Sequence, residues 1–112
     1  MAENEILADK TCIPCQGGVP RLDIDEANEM IKNFPDWQLN EDGTRITRNF
    51  KFKNFKQAQI FANKLGDLAE KEFHHPVITF GWGYCNVTFQ TSKIRGLHEN
   101  DIIMAAKVNE LI

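Results

Sequence analysis

Apolar residues recur along this 112-residue chain at two spacings, and the alternation between them predicts seven elements. Ile24, Ala27, Ile31 and Phe34 share one face of a short helix, which Asp23 and Glu26 open as a capping box and Pro35 closes. Trp37, Gln38 and Leu39 read as a strand entering a turn at Asn40-Glu41-Asp42-Gly43. On the return strand Ile46, Phe50 and Phe52 alternate with Arg45, Thr47, Asn49 and Lys51. Arg48 falls on the apolar side of that strand, so it requires a sheet edge or a polar partner. Asn54, with Gln57 at the reciprocal position, caps a helix predicted to run to about Phe73. Phe55, Ala58, Phe61, Ala62, Leu65, Leu68 and Ala69 form its buried stripe. Gly66 interrupts that helix at a cost of about 1 kcal/mol relative to Ala, which the close approach of a strand would explain.

A second hairpin follows around Gly81-Trp82-Gly83, with Ile78, Phe80 and Trp82 alternating on residues 77–82 and Cys85, Val87 and Phe89 on residues 84–91. The last helix begins near His98 or Glu99 and runs to the terminus. Its apolar residues (Ile102, Ile103, Met104, Ala105, Ala106, Val108, Leu111 and Ile112) cover more than one stripe. That spread predicts one face on the core and another on a partner chain.

The order α-β-β-α-β-β-α defines an α+β fold, with residues 21–112 as a single domain and residues 1–20 as a tail without usable periodicity. A four-stranded antiparallel sheet with helices packed on one face is the simplest way to bury these stripes, and its edges are open to pairing in a dimer. The length is sufficient for a modest core without disulfides or metal. A net charge of −3 favours neither nucleic acid nor an anionic membrane as partner, and no apolar run approaches the ~20 residues of a membrane span. The acidic N-terminus lacks a signal-peptide core, and three cysteines are an odd count, so reduced thiols in the cytoplasm are expected. Cys12 and Cys15 form a C-x-x-C, but the Gly/Pro-rich setting supplies neither the helix start of a redox motif nor the second pair of a zinc site.

Candidate chemistry concentrates where the long helix must stop. His74 and His75 sit side by side before Pro76, and Glu70 lies four residues before His74, on the same face if the helix persists that far. Two imidazoles can serve as acid and base in one turnover, and Glu70 is placed to orient His74. Such an assembly suits the loss of water from a carbon bearing both hydroxyl and nitrogen. Spacing alone equally allows a polar cap on the final carbonyls of the helix. Adjacent histidines do not converge on one ion as an i, i+4 pair does, so no metal is assigned.

Glu70-x-x-x-His74-His75-Pro76, then Trp82, Gly96-Leu97 and Asp101, resembles the signature of the pterin-4a-carbinolamine dehydratase family. Phe34-Pro35-Asp36-Trp37 is similar to the family's entry to its first strand. Phe50-Lys51-Phe52-x-x-Phe55 is similar to its strand-to-helix passage, and Asn100-Asp101 through Ala105-Ala106-Lys107 to its final helix. The C-x-x-C resembles that of bacterial members associated with phenylalanine hydroxylase, and the likeness spans roughly residues 12–112.

The resemblance implies a dehydratase that converts a 4a-hydroxytetrahydropterin, left by an aromatic amino acid hydroxylase, to quinonoid dihydropterin and water. It implies a homodimer or homotetramer, and no metal or organic cofactor. It places His74, His75, Glu70 and Asp101 in the catalytic set, with Trp37, Pro76, Thr91, Ser92 and Lys93 at the pterin. One position departs: the family's third histidine, separated from Trp82 by nine intervening residues, is Ser92 here. Serine can hold a hydroxyl or a water but cannot titrate near neutrality. Either His74 and His75 suffice, with Ser92 or Lys93 holding substrate, or the chain is an attenuated pterin-binding or protein-interaction module. His98 occupies the N-cap of the last helix, and capping rather than replacement of the missing imidazole is expected of it.

Overall fold

Local chemistry begins each helix. In the computed structural model, which describes residues 21–112, Asp23 Oδ1 accepts the Glu26 N–H at 2.8 Å and Glu26 Oε1 accepts the Asp23 N–H at 3.0 Å. This capping box opens α1 (Ile24–Ile31). The chain then turns Phe34 and Trp37 into the core and enters β1 (Gln38–Leu39), which pairs antiparallel with β2 (Ile46–Lys51). The turn between them needs Gly43 twice over. Its φ is +70°, and a β-carbon there would meet Ile24 at 3.0 Å. Cys12 and Cys15 lie outside the described residues.

Asn54 Oδ1 accepts the Gln57 N–H at 2.9 Å and starts α2 (Phe55–Glu72). Gln57 reaches back one residue further than a capping box requires, to the Lys53 N–H. Ala58, Phe61, Ala62, Leu65 and Ala69 bury the predicted stripe, whereas Phe55, 45% exposed, only leans on Phe80 at 5.5 Å. The expected reason for Gly66 is overturned, because a β-carbon there has nothing within 4 Å and no strand comes close. Gly66→Ala is therefore expected to stabilise the fold by about 1 kcal/mol, seen as a rise in melting temperature. A fall would mean that Gly66 has a role outside helix propensity.

Strands β3 (Val77–Gly81) and β4 (Tyr84–Phe89) form the second hairpin, and β4 pairs with β2, so the sheet order is β1-β2-β4-β3 and antiparallel throughout. Trp82 does not continue the alternation of β3. It occupies the two-residue turn with Gly83, whose φ is +82°, and is 72% exposed. Across the core face the register sets Ile46 beside Phe89, and Phe50 beside Cys85 and then Phe80. On the opposite face the Thr47 and Thr88 hydroxyls pair at 2.9 Å. Arg48, which the register brings beside Val87, has found polar partners: its NH1 donates to Asn109 Oδ1 at 2.5 Å and Asp36 lies 3.6 Å from NH2. Its guanidinium also lies over the Phe50 ring.

After a single 3-10 turn (Ser92–Ile94), α3 (Glu99–Asn109) completes the domain. The two-sided apolar helix is explained differently from the sequence expectation. Ile102, Ile103, Met104, Ala105, Ala106 and Val108 are all at most 2% exposed within the chain itself. The second stripe is therefore not a surface waiting for a partner. The helix is enclosed by its own sheet and neighbouring helices, as an all-round apolar helix must be. Leu111 is half-buried, and Ile112, 71% exposed, lies outside.

Candidate active site

The site is created by the way α2 ends. Phe73 takes the left-handed conformation, φ 54° and ψ 35°, and both its own N–H and that of His74 return to the Ala69 carbonyl. Glycine or asparagine ordinarily fills this place, and a bulky residue in that conformation costs about 1–2 kcal/mol. The reversal breaks the 3.6-residue repeat, and that decides which carboxylate meets which histidine. The pairing expected from four-residue spacing, Glu70 with His74, is not formed. Glu70 Oε2 instead holds His75 Nε2, both side chains being largely exposed, while His74 turns inward.

His74 is 8% exposed and stacks on the fully buried Phe89, with centroids 6.0 Å apart and planes 6° from parallel. Its Nε2 lies 2.6 Å from Oδ1 of Asp101, whose side chain is wholly buried. The other oxygen of Asp101 accepts the Thr91 hydroxyl at 2.7 Å and the His98 backbone N–H at 3.0 Å. Two donors on Oδ2 make Asp101 an acceptor, so the His74 Nε2 carries the hydrogen, and in the neutral ring the lone pair is on Nδ1. His98 caps α3, its Nδ1 accepting the Asn100 N–H at 3.1 Å, and Asp101 returns the bond as the third residue of the capping box. One carboxylate thus starts the last helix and orients a histidine contributed by another.

A cleft of about 280 Å³ opens over these groups. His74 and His75 form one wall with Phe73, and Gln90, Thr91, Ser92 and Lys93 form the other. That volume is small for a drug-sized ligand and suits a flat bicycle. Of the residues expected at the pterin, Thr91, Ser92 and Lys93 border the cleft, with Asp101 directly behind His74 and Glu70 beside His75. Pro76 and Trp37 do not border it. Trp37 is 3% exposed, donates from Nε1 to Asn109 Oδ1 at 2.9 Å, and meets the Phe89 ring at 5.9 Å, on which His74 also rests. Phe73 and Gln90 were not expected. The signal for Phe73 was a large apolar residue at a helix stop; Gln90 has only its place beside Thr91.

A larger groove of about 440 Å³ lies elsewhere, among Phe50, Phe52, Ile60, Phe61 and the C-terminal Leu111 and Ile112. It is bordered by no histidine, aspartate or glutamate side chain, whereas the smaller cleft is bordered by both His74 and His75. Burial pushes the Cys85 thiol upward, which makes it a core residue and a poor nucleophile. Among the described residues no three His, Cys, Asp or Glu side chains converge as metal ligands would. No described helix is long and apolar enough to cross a membrane.

Comparison with known proteins adds a family to this geometry. Residues 20–111 match the profile of the family described as Pterin 4 alpha carbinolamine dehydratase. A Methylococcus capsulatus protein provisionally named pterin-4-alpha-carbinolamine dehydratase is 55% identical over 105 residues, covering 94% of this chain and 92% of its own. A Halorhodospira halophila protein of the same provisional name is 52% identical, with 94% and 96% covered. The crystal structure of a transcriptional coactivator/pterin dehydratase from Brucella melitensis is similar at TM-score 0.75 and 37% identity, over 82% of this chain and 98% of that one. A pterin dehydratase-like protein identified as a RuBisCO assembly factor in the alpha-carboxysome is similar at TM-score 0.58 and 27% identity, over 68% and 91%.

Proposed function

The chain belongs to the pterin-4α-carbinolamine dehydratase family of hydro-lyases, and from that premise we propose that it dehydrates a 4a-hydroxytetrahydropterin to the quinonoid dihydropterin in the cleft at the end of α2. The observation that carries this reading is the pair of histidine–carboxylate couples on one cleft wall, one buried and one exposed. The reaction breaks the C–O bond at the carbinolamine carbon, forms a C=N bond to the adjacent ring nitrogen and releases water. One proton must reach the departing hydroxyl and one must leave the ring N–H.

The two couples divide these tasks. His74, fixed by Asp101 with its lone pair on Nδ1, takes the ring N–H proton. Its stack on Phe89 and its buried partner hold the ring still for that purpose. His75, open to solvent beside Glu70, delivers the proton to the hydroxyl and is recharged from water. Ser92 and Lys93 hold the substrate across the cleft, where serine serves as a hydrogen-bonding group in the place of an imidazole. Trp37 acts from behind, by supporting Phe89. In a cell such an activity would return the pterin cofactor of an aromatic amino acid hydroxylase to use in the cytoplasm. Edge-to-edge pairing of two sheets is the assembly this reading favours, through the outer side of β3, where Val77 is 68% exposed.

A second reading keeps the cleft and drops turnover. Ser92 favours it, as does the similarity to a pterin dehydratase-like protein that is a RuBisCO assembly factor. The test is the rate of 4a-hydroxytetrahydropterin dehydration, with substrate generated by a coupled hydroxylase, for the wild type and Ser92→His. Clear wild-type acceleration that changes little in Ser92→His is expected. A silent wild type rescued by Ser92→His, by a factor of about 10²–10⁴, would move the assignment to binding or partnership.

A further inference from the structure

We propose that Phe73 is a substrate-binding residue of this cleft, its ring forming the stacking wall for a flat heteroaromatic ligand. The inference rests on the pterin reading above and adds a residue to it. Three observations meet at Phe73. Its backbone is left-handed, a conformation that a bulky side chain disfavours and that glycine or asparagine adopts at helix ends without strain. Its side chain is the most exposed large apolar group among the described residues, at 86%. It also borders the cleft directly before His74 and His75.

Neither folding nor packing accounts for phenylalanine here. Stability favours a smaller residue at this backbone angle, and the ring buries almost nothing in the free chain. A side chain that is unfavourable to the fold and adjacent to acid–base groups is accounted for by what it does when the cleft is filled. A flat nitrogen heterocycle lying on the ring would cover it. The polar edge of that heterocycle would then face Gln90, Thr91, Ser92 and Lys93 on the opposite wall. The left-handed turn places ring and imidazoles together, since the same reversal that aims His74 inward leaves Phe73 outward.

The test compares wild type, Phe73→Asn and Phe73→Tyr, using 7,8-dihydrobiopterin as the probe, thermal melting, and steady-state dehydration. Phe73→Asn is expected to bind the probe about tenfold more weakly, as loss of one base–aromatic stack does. It is also expected to melt about 5 °C higher, because the strain is relieved. In steady-state dehydration the same loss is expected in kcat/KM, about tenfold, carried by a higher KM. Phe73→Tyr should bind as the wild type does. Equal affinity of wild type and Phe73→Asn would overturn the proposal while leaving the pterin reading intact. So would weakened binding in Phe73→Tyr, or a lower melting temperature in Phe73→Asn. Failure of the wild type itself to bind the probe would instead remove the pterin reading, and this proposal with it.

Discussion

Asp101→Asn is expected to lower turnover by about 10²–10⁴ while leaving the fold largely intact. Asp101 Oδ2 receives two donors, the Thr91 hydroxyl and the His98 N–H, whereas Oδ1 receives only His74 Nε2. The amide oxygen of asparagine satisfies both donors when it takes the Oδ2 position. Its NH2 must then face His74, and two donors cannot share that bond. His74 responds by moving its hydrogen to Nδ1, which removes the lone pair the proposed base needs. Every buried group remains paired, so the cost in stability is small. It is mainly the lost charge in the first turn of α3, about 0.3–1 kcal/mol. The measurement is kcat in the coupled assay, with a thermal melt as the fold control and nitrogen NMR of the imidazole to read the tautomer. Turnover within threefold of the wild type would sink the assignment of His74 as an Asp101-held base.

Phe89→Ala carries the largest expected loss of stability among residues near the site. The side chain is fully buried and meets two rings, Trp37 at 5.9 Å and His74 at 6.0 Å. Truncation of a buried phenylalanine costs about 3–5 kcal/mol, which for a domain of this size lowers the melting temperature by roughly 20 °C. Since domains hold only about 5–15 kcal/mol in total, the assay must be run well below the new midpoint. Turnover should fall there too, because His74 loses the surface that fixes its ring plane. Phe89→Leu keeps most of the volume and should recover much of the stability without the flat stacking face. A melting temperature within a few degrees of the wild type for Phe89→Ala would show that Trp37 and His74 close over the space, and that Phe89 does not set the ring position.

Elements whose cause is local were legible in the residues. Asp23 with Glu26, Asn54 with Gln57, and His98 with Asp101 each write a helix start within four positions. The alternations of Ile46 with Phe50 and of Cys85, Val87 and Phe89 write strand faces that the register then matched. Where the outcome depended on neighbours distant in sequence, the reading went astray. Gly66 looked like a close approach and faces open space, and the apolar spread of residues 102–112 looked like an interface and is almost wholly interior. Periodicity reports how many sides of a helix avoid water, not whose atoms cover them.

The candidate site divides in the same way. The residues alone placed His74 and His75 at a helix end beside a carboxylate, and placed Asp101 in the first turn of another helix. Those are facts of order and spacing, whereas the imidazole expected at Ser92 was implied only by the family resemblance. Which carboxylate serves which histidine was decided only in three dimensions. The left-handed turn at Phe73 cancels the four-residue relation between Glu70 and His74, and the packing of α3 brings Asp101 across 27 positions to take its place. Bonds within one turn follow from the local chain, but a pairing across the core exists only once the sheet and helices have closed around it.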